Sequence, residues 1–120
     1  MTCLWSISVP KSHPATSRYA REAVRLLGLL IRQHRLERKM TTEQLAERAG
    51  VSRGLVQRAE RGELGCAVGA VFEMAAIVGV PLFTADKEQL LAAKSAAEKT
   101  LQLLPSSARA SNAGPVSDDF

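Results

Sequence analysis

The stretch LAERAGVSRGLVQRAERGE, residues 45–63, holds two short helical patterns with only AGVS between them. So tight a joint leaves no room for a wandering connection, so the two helices must be neighbours that cross at a fixed angle. Signals at the boundaries agree with this. Thr41 followed three residues later by Gln44 matches a capping box, which satisfies otherwise unpaired amides at a helix start, so one helix begins near Thr42. Leu45, Ala46 and Ala49 form its buried face, and Gly50 is the residue best able to take the left-handed conformation that ends it. Ser52 is a good N-cap for the next helix, in which Val56, Ala59 and Leu55 point inward. Arg53, Gly54, Gln57, Arg58 and Arg61 lie on or beside the opposite face, and Gly62 stops the helix.

Helical periodicity continues on both sides. From Ser17 onward Val24, Leu27, Leu30, Ile31 and His34 recur at spacings of three and four, an apolar stripe that His34 prolongs. A fourth helix over about residues 68–78 buries Val71, Ala75 and Val78, and GVP at 79–81 breaks it. Asp86 opens a fifth, DKEQLLAAKSAAEKTLQLL, which ends before Pro105. No run alternates apolar and polar residues over strand length, so the expected fold is all-α, helix packed on helix around a modest aliphatic core. Residues 1–16, with Pro10 and Pro14, have no periodicity and read as a flexible arm, whereas 17–84 form the compact helical domain. Residues 85–104 are a C-terminal helix, and 105–120, rich in Ser, Ala, Gly and Pro, read as a disordered tail.

Charge separates the two halves: residues 18–63 carry eleven Lys and Arg against six Asp and Glu, and residues 64–120 carry four against six. Such asymmetry suits a polyanionic partner for the first half, although a solvated arginine-rich face has the same composition. Cys3 and Cys66 have neither metal-ligand spacing nor the density of a disulfide framework, which fits two thiols in a reducing compartment. The opening lacks a basic leader, and the apolar run MAAIVGVPLF is too short to span a bilayer, so the protein is expected to be soluble and cytoplasmic, associated with the nucleoid. An enzyme would have to rest on Cys66, His13 and His34, yet no carboxylate is spaced to orient either histidine and no Gly-rich phosphate loop follows a strand. No catalytic residue, metal or cofactor is expected. A basic helical module binding an acidic protein is the rival to a nucleic-acid binder.

Two helices on a tight turn form a helix-turn-helix, the first bracing against the DNA backbone and the second facing the major groove. Arg53 and Gln57 are one turn apart on one face, and their side chains suit guanine and adenine edges respectively. The segment LGLLIRQHRLERKMTTEQLAERAGVSRGLVQRAERG resembles the Xre/Cro-type helix-turn-helix family, with Arg35, Leu45, Ala46, Gly50, Val51, Ser52, Glu60 and Gly62 matching its pattern over roughly residues 23–83. That resemblance implies a five-helix, lambda-repressor-like domain and a structural salt bridge between Arg35 and Glu60. It places DNA contacts at Thr42, Ser52, Arg53, Gly54, Gln57 and Arg58. Gly54 departs from the family's side-chain-bearing reader and can offer only backbone, and Glu63 and Leu64 stand where basic residues are common.

The flanks HPATSRYAREAVRLLGLLIR and PVSDDF are similar to those of HipB-type antitoxins, which accompany HipA-type Ser/Thr kinase toxins. This second resemblance implies a dimeric, autoregulatory repressor of its own operator that also docks a kinase toxin; a stand-alone Xre-type repressor would show the same centre. In the tail, Asp118, Asp119 and Phe120 would then be a docking element, an apolar anchor beside two acidic residues. On the fifth helix Leu90, Ala93, Ala97, Leu101 and Leu104 form one stripe, which serves either a homodimer or packing back on its own domain.

Overall fold

The computed structural model describes residues 15–84 and 86–108. The expected arm before residue 15 and the tail residues Asp118, Asp119 and Phe120 lie outside the described residues. Five helices follow one another, α1 (Arg18–Glu37), α2 (Thr42–Ala49), α3 (Arg53–Glu60), α4 (Val68–Val78) and α5 (Lys87–Gln102), and no β-strand occurs among the described residues. The chain divides into two compact units between Leu82 and Phe83.

In the first unit α1 packs on α3 and α4, and α2 on the same two helices. At eight residues each, α2 and α3 are too short to persist alone in water, so their stability comes from the face they bury. Ile31, Leu45, Val56, Met74 and Val78 are fully buried, surrounded by Met40, Ala46, Ala59, Ala75 and Val80. Burying a side chain of this size contributes about 1.5–3 kcal/mol. The buried set differs from the sequence expectation at several positions. In α4 Met74 is fully buried while Val71 is half-buried, and on α1 the innermost residues are Gly28, Ile31 and Arg35 rather than Val24 and His34.

Gly28 explains the shift on α1. A Cβ there would press on the Ala59 carbonyl oxygen and sit 2.8 Å from that of Glu60, so the α1 backbone runs directly against the last turn of α3. The closest approach therefore falls one residue beyond Leu27, and the polar side chain one turn below Ile31, Arg35, is carried inside with it.

All four helices of this unit end in the same way. The chain enters the left-handed region at Lys39 (φ 55°), Gly50 (φ 72°), Gly62 (φ 79°) and Gly79 (φ 89°). At each, the following amide turns back to a helix carbonyl: Met40 to Arg35 at 3.1 Å, Val51 to Ala46 at 3.0 Å, Glu63 to Arg58 at 3.1 Å and Val80 to Ala75 at 2.8 Å. Together with the bond that the left-handed residue's own amide makes to the carbonyl three residues back, this is the Schellman arrangement, which satisfies carbonyls the helix leaves unpaired. Met40 and Val80 are the residues that follow the reversal, and both are buried, so the ending also delivers an apolar side chain to the core.

Four of these five helix starts are capped by a side chain, α4 after Ala67 being the exception. The Ser17 hydroxyl accepts from the Ala20 amide at 3.1 Å, and Ser52 from that of Leu55 at 3.0 Å. At α2 the capping box is complete, with Thr41 Oγ1 accepting from Gln44 N at 3.0 Å and Gln44 Oε1 from Thr41 N at 2.9 Å. In the second unit the Asp86 carboxylate accepts from the Glu88 amide at 3.1 Å to start α5, none of whose residues is buried. Among the described residues no helix is long and apolar enough to cross a membrane.

Candidate nucleic-acid interface

The turn between α2 and α3 occupies three residues, Gly50 to Ser52. Gly50 reverses the chain, Val51 drops a half-buried side chain onto the core, and Ser52 caps the new helix. Because both ends of the joint are fixed by hydrogen bonds, α3 has one orientation against α2. Val56, Ala59 and Glu60 face inward. Opposite them Arg53, Gly54, Gln57, Arg58 and Arg61 are exposed along with Ser52, while Thr42, the first residue of α2, is half-buried beside them.

Within this face the five side-chain-bearing positions are not equivalent. Arg53 Nη1 lies 3.2 Å from Glu43 Oε2, but the two side chains are 58% and 73% exposed, so the pair is a weak tether that a stronger anion can displace. Gly54 is the second residue of α3, and a Cβ on it would meet nothing nearer than Ser52 Oγ at 3.8 Å. The fold therefore imposes no need for glycine there, and the bare backbone leaves the first turn of α3 open to close approach. Arg61 pairs with Glu63 at 2.9 Å, which uses part of its charge beyond the end of the helix.

Behind the exposed face lies the Arg35–Glu60 pair. Arg35 Nε donates to Glu60 Oε2 at 2.6 Å, Nη2 donates to Oε1 at 3.0 Å, and Nη1 donates to the Met40 carbonyl at 2.9 Å. With side chains only 7% and 5% exposed, the two residues tie α1 to α3 and carry no free charge outward.

Two further cations, Arg25 and Arg32, adjoin the predicted positions and are not among the contacts expected from sequence. Arg25 and Arg32 of α1 and Arg61 after α3 line an open cleft of about 500 Å³ together with Thr42 and Gln57. Arg25 Nη1 also donates to the Arg61 carbonyl at 2.9 Å, joining the two walls. The signal was available, since Arg25, Leu29 and Arg32 recur at spacings of four and three and so share one face of α1. What hid them was the apolar stripe on the neighbouring face.

Cys66 is a free, half-buried thiol on the side of an apolar hollow lined by Leu27, Val71 and Phe72. Among the described residues no group of three or more His, Cys, Asp or Glu could hold a metal ion.

A family model described as a helix-turn-helix domain matches residues 26–88, just over half of the chain, which takes in most of α1 and all of α2, α3 and α4. No curated protein and no solved structure matches the chain.

Proposed function

This chain belongs to the helix-turn-helix domain family, the mark of a DNA-binding regulator, and we propose that it is a sequence-specific repressor of double-stranded operator DNA of the Xre/Cro type. The observation that carries the reading is the division of α3 into two faces. Its inward carboxylate is neutralised by Arg35, while its outward face presents Arg53, Gln57 and Arg58 with Gly54 open between them. A helix of this kind enters the major groove with Arg53 and Gln57 addressing base edges. Ser52, Thr42 and Arg58 border it as backbone contacts, and the Gly54 main chain allows the groove to come close. Chemistry on a substrate plays no part in this role, and it is carried out at the nucleoid in the cytoplasm.

The active form is a homodimer. One recognition helix covers too few base pairs for useful specificity, and α5 keeps Leu90, Leu91, Leu101 and Leu104 exposed. Most helical stability in proteins comes from packing an apolar face, and these leucines supply one. A dimer requires a two-fold symmetric operator whose half-site centres are about 34–36 Å apart or a multiple of that. Sedimentation of the full chain, free and on a selected duplex, tests this; a monomer in both states contradicts it.

Within that role the flanking resemblance favours an autoregulatory HipB-like antitoxin that also binds a HipA-like kinase toxin, with Asp118, Asp119 and Phe120 as the docking element. The comparison that decides it is between the full chain and a truncation after Ala110. Loss of kinase binding with operator affinity unchanged supports the antitoxin role, and kinase binding that survives intact removes the tail from it. A stand-alone Xre-type repressor is the alternative, in which no kinase is bound at all.

A further inference from the structure

We infer that Arg25 and Arg32 of α1 are phosphate-binding residues, holding the DNA backbone in the cleft beside α3 and extending the footprint past the recognition helix. The inference rests on the DNA-binding reading above and adds a second element, α1, to the surface that touches the duplex.

The cleft has the chemistry a phosphodiester needs. Its walls supply guanidinium groups from Arg25 and Arg32 on one side and Arg61 on the other, with the Thr42 hydroxyl and the Gln57 amide between them as further hydrogen-bonding groups. Three acidic side chains lie nearby: Glu60 is neutralised by both of its bonds to Arg35, Glu63 offsets part of the Arg61 charge, and Glu22 shares an adjoining hollow with Arg25. Arg25, Arg32, Arg35 and Arg61 still outnumber them. Arg25 and Arg32 are exposed and lie on one face of a helix that Gly28 seats against α3, so their separation from Gln57 is fixed by the core and not by a flexible loop. Gln57 is shared between the cleft and the base-reading face, and a strand whose bases meet Arg53 and Gln57 therefore runs its phosphates past the cleft mouth. Arginine suits the role, since its planar fork meets two phosphate oxygens at once.

Phosphate contacts and base contacts leave different signatures. Neutralising a phosphate releases counterions, so each lost contact lowers the slope of log affinity against log salt by about 1 and weakens all sequences alike. The experiment compares full-length wild type with Arg25→Gln/Arg32→Gln and Arg25→Lys/Arg32→Lys, titrating a selected duplex and a scrambled one at several salt concentrations, with helix content and melting temperature recorded for each. The expected result is a slope smaller by about 2 per bound protomer in the Gln variant, affinity lost equally on both duplexes, and a slope restored in the Lys variant. A slope unchanged by the Gln variant while wild type still binds overturns the inference and leaves the DNA-binding reading standing. So does a Lys variant that fails to restore the slope, which would make the arginines structural, or a change in which duplex is preferred. Absence of duplex binding by the wild type itself is a separate outcome, in which the underlying reading and this inference fall together.

Discussion

Arg35 on α1 meets Glu60 on α3 through two parallel N–H···O bonds, of 2.6 and 3.0 Å, with its remaining Nη1 on the Met40 carbonyl. Each nitrogen of the guanidinium is thus engaged where water hardly reaches. Removing one member strands the other as a buried charge, at a cost of about 3–5 kcal/mol. Glu60→Ala is therefore expected to lower the denaturation midpoint sharply, whereas the volume-matched Arg35→Met/Glu60→Leu double variant recovers most of the loss. Urea titration of the three proteins checks this, and a midpoint unmoved by Glu60→Ala would contradict the buried pairing.

Lys39 ends α1 in the left-handed region, at φ 55°, where glycine serves the other three helices. A side chain in that conformation costs roughly 1–2 kcal/mol, partly offset because glycine loses more backbone entropy on folding. Lys39→Gly is expected to stabilise the fold by about 0.5–1 kcal/mol, and Lys39→Ala to leave it within about 0.5 kcal/mol of wild type. Guanidinium denaturation of both separates a backbone effect from loss of the lysine charge.

The contact of Gly28 with the last turn of α3 leaves no space for a methyl group. Gly28→Ala should improve α1 in isolation yet cost about 1–3 kcal/mol in the folded domain, because α1 must move off the Ala59 and Glu60 carbonyls. Thermal unfolding followed by circular dichroism measures the sign, which opposes helix propensity.

Glu43 holds Arg53 across an exposed 3.2 Å contact. A carboxylate at that place competes with DNA for the guanidinium and repels phosphate as well. Since exposed pairs contribute at most about 1 kcal/mol, Glu43→Gln is expected to tighten duplex binding by about two- to five-fold with stability unchanged. Fluorescence anisotropy at two salt concentrations is sufficient, and weaker binding would make Glu43 part of the interface.

Much of this was legible in the sequence because short-range signals are local chemistry. Thr41 with Gln44, Ser52 and Gly50 act within one turn, and the structure has each of them where the spacing put it. What periodicity could not reveal was tertiary. Met74 is fully buried and Val71 only half, since the neighbours of α4 decide which side of an almost wholly apolar helix is covered. The ending of α1 at Lys39 carried no glycine to announce it. Arg25 and Arg32 look like an ordinary solvated face until the fold sets them across a cleft from Arg61.

Base reading by α3 is tested most directly by enriching duplexes from a random pool with the full-length protein and then comparing wild type with Arg53→Ala on the enriched duplex, its single-base variants and a scrambled control. The expected result is wild-type preference for the enriched duplex by about 10³-fold or more, with Arg53→Ala losing about 1–3 kcal/mol of discrimination at particular base pairs and little elsewhere. Equal affinity of the wild type for the enriched and scrambled duplexes, or an Arg53→Ala loss spread evenly over all of them, would contradict it.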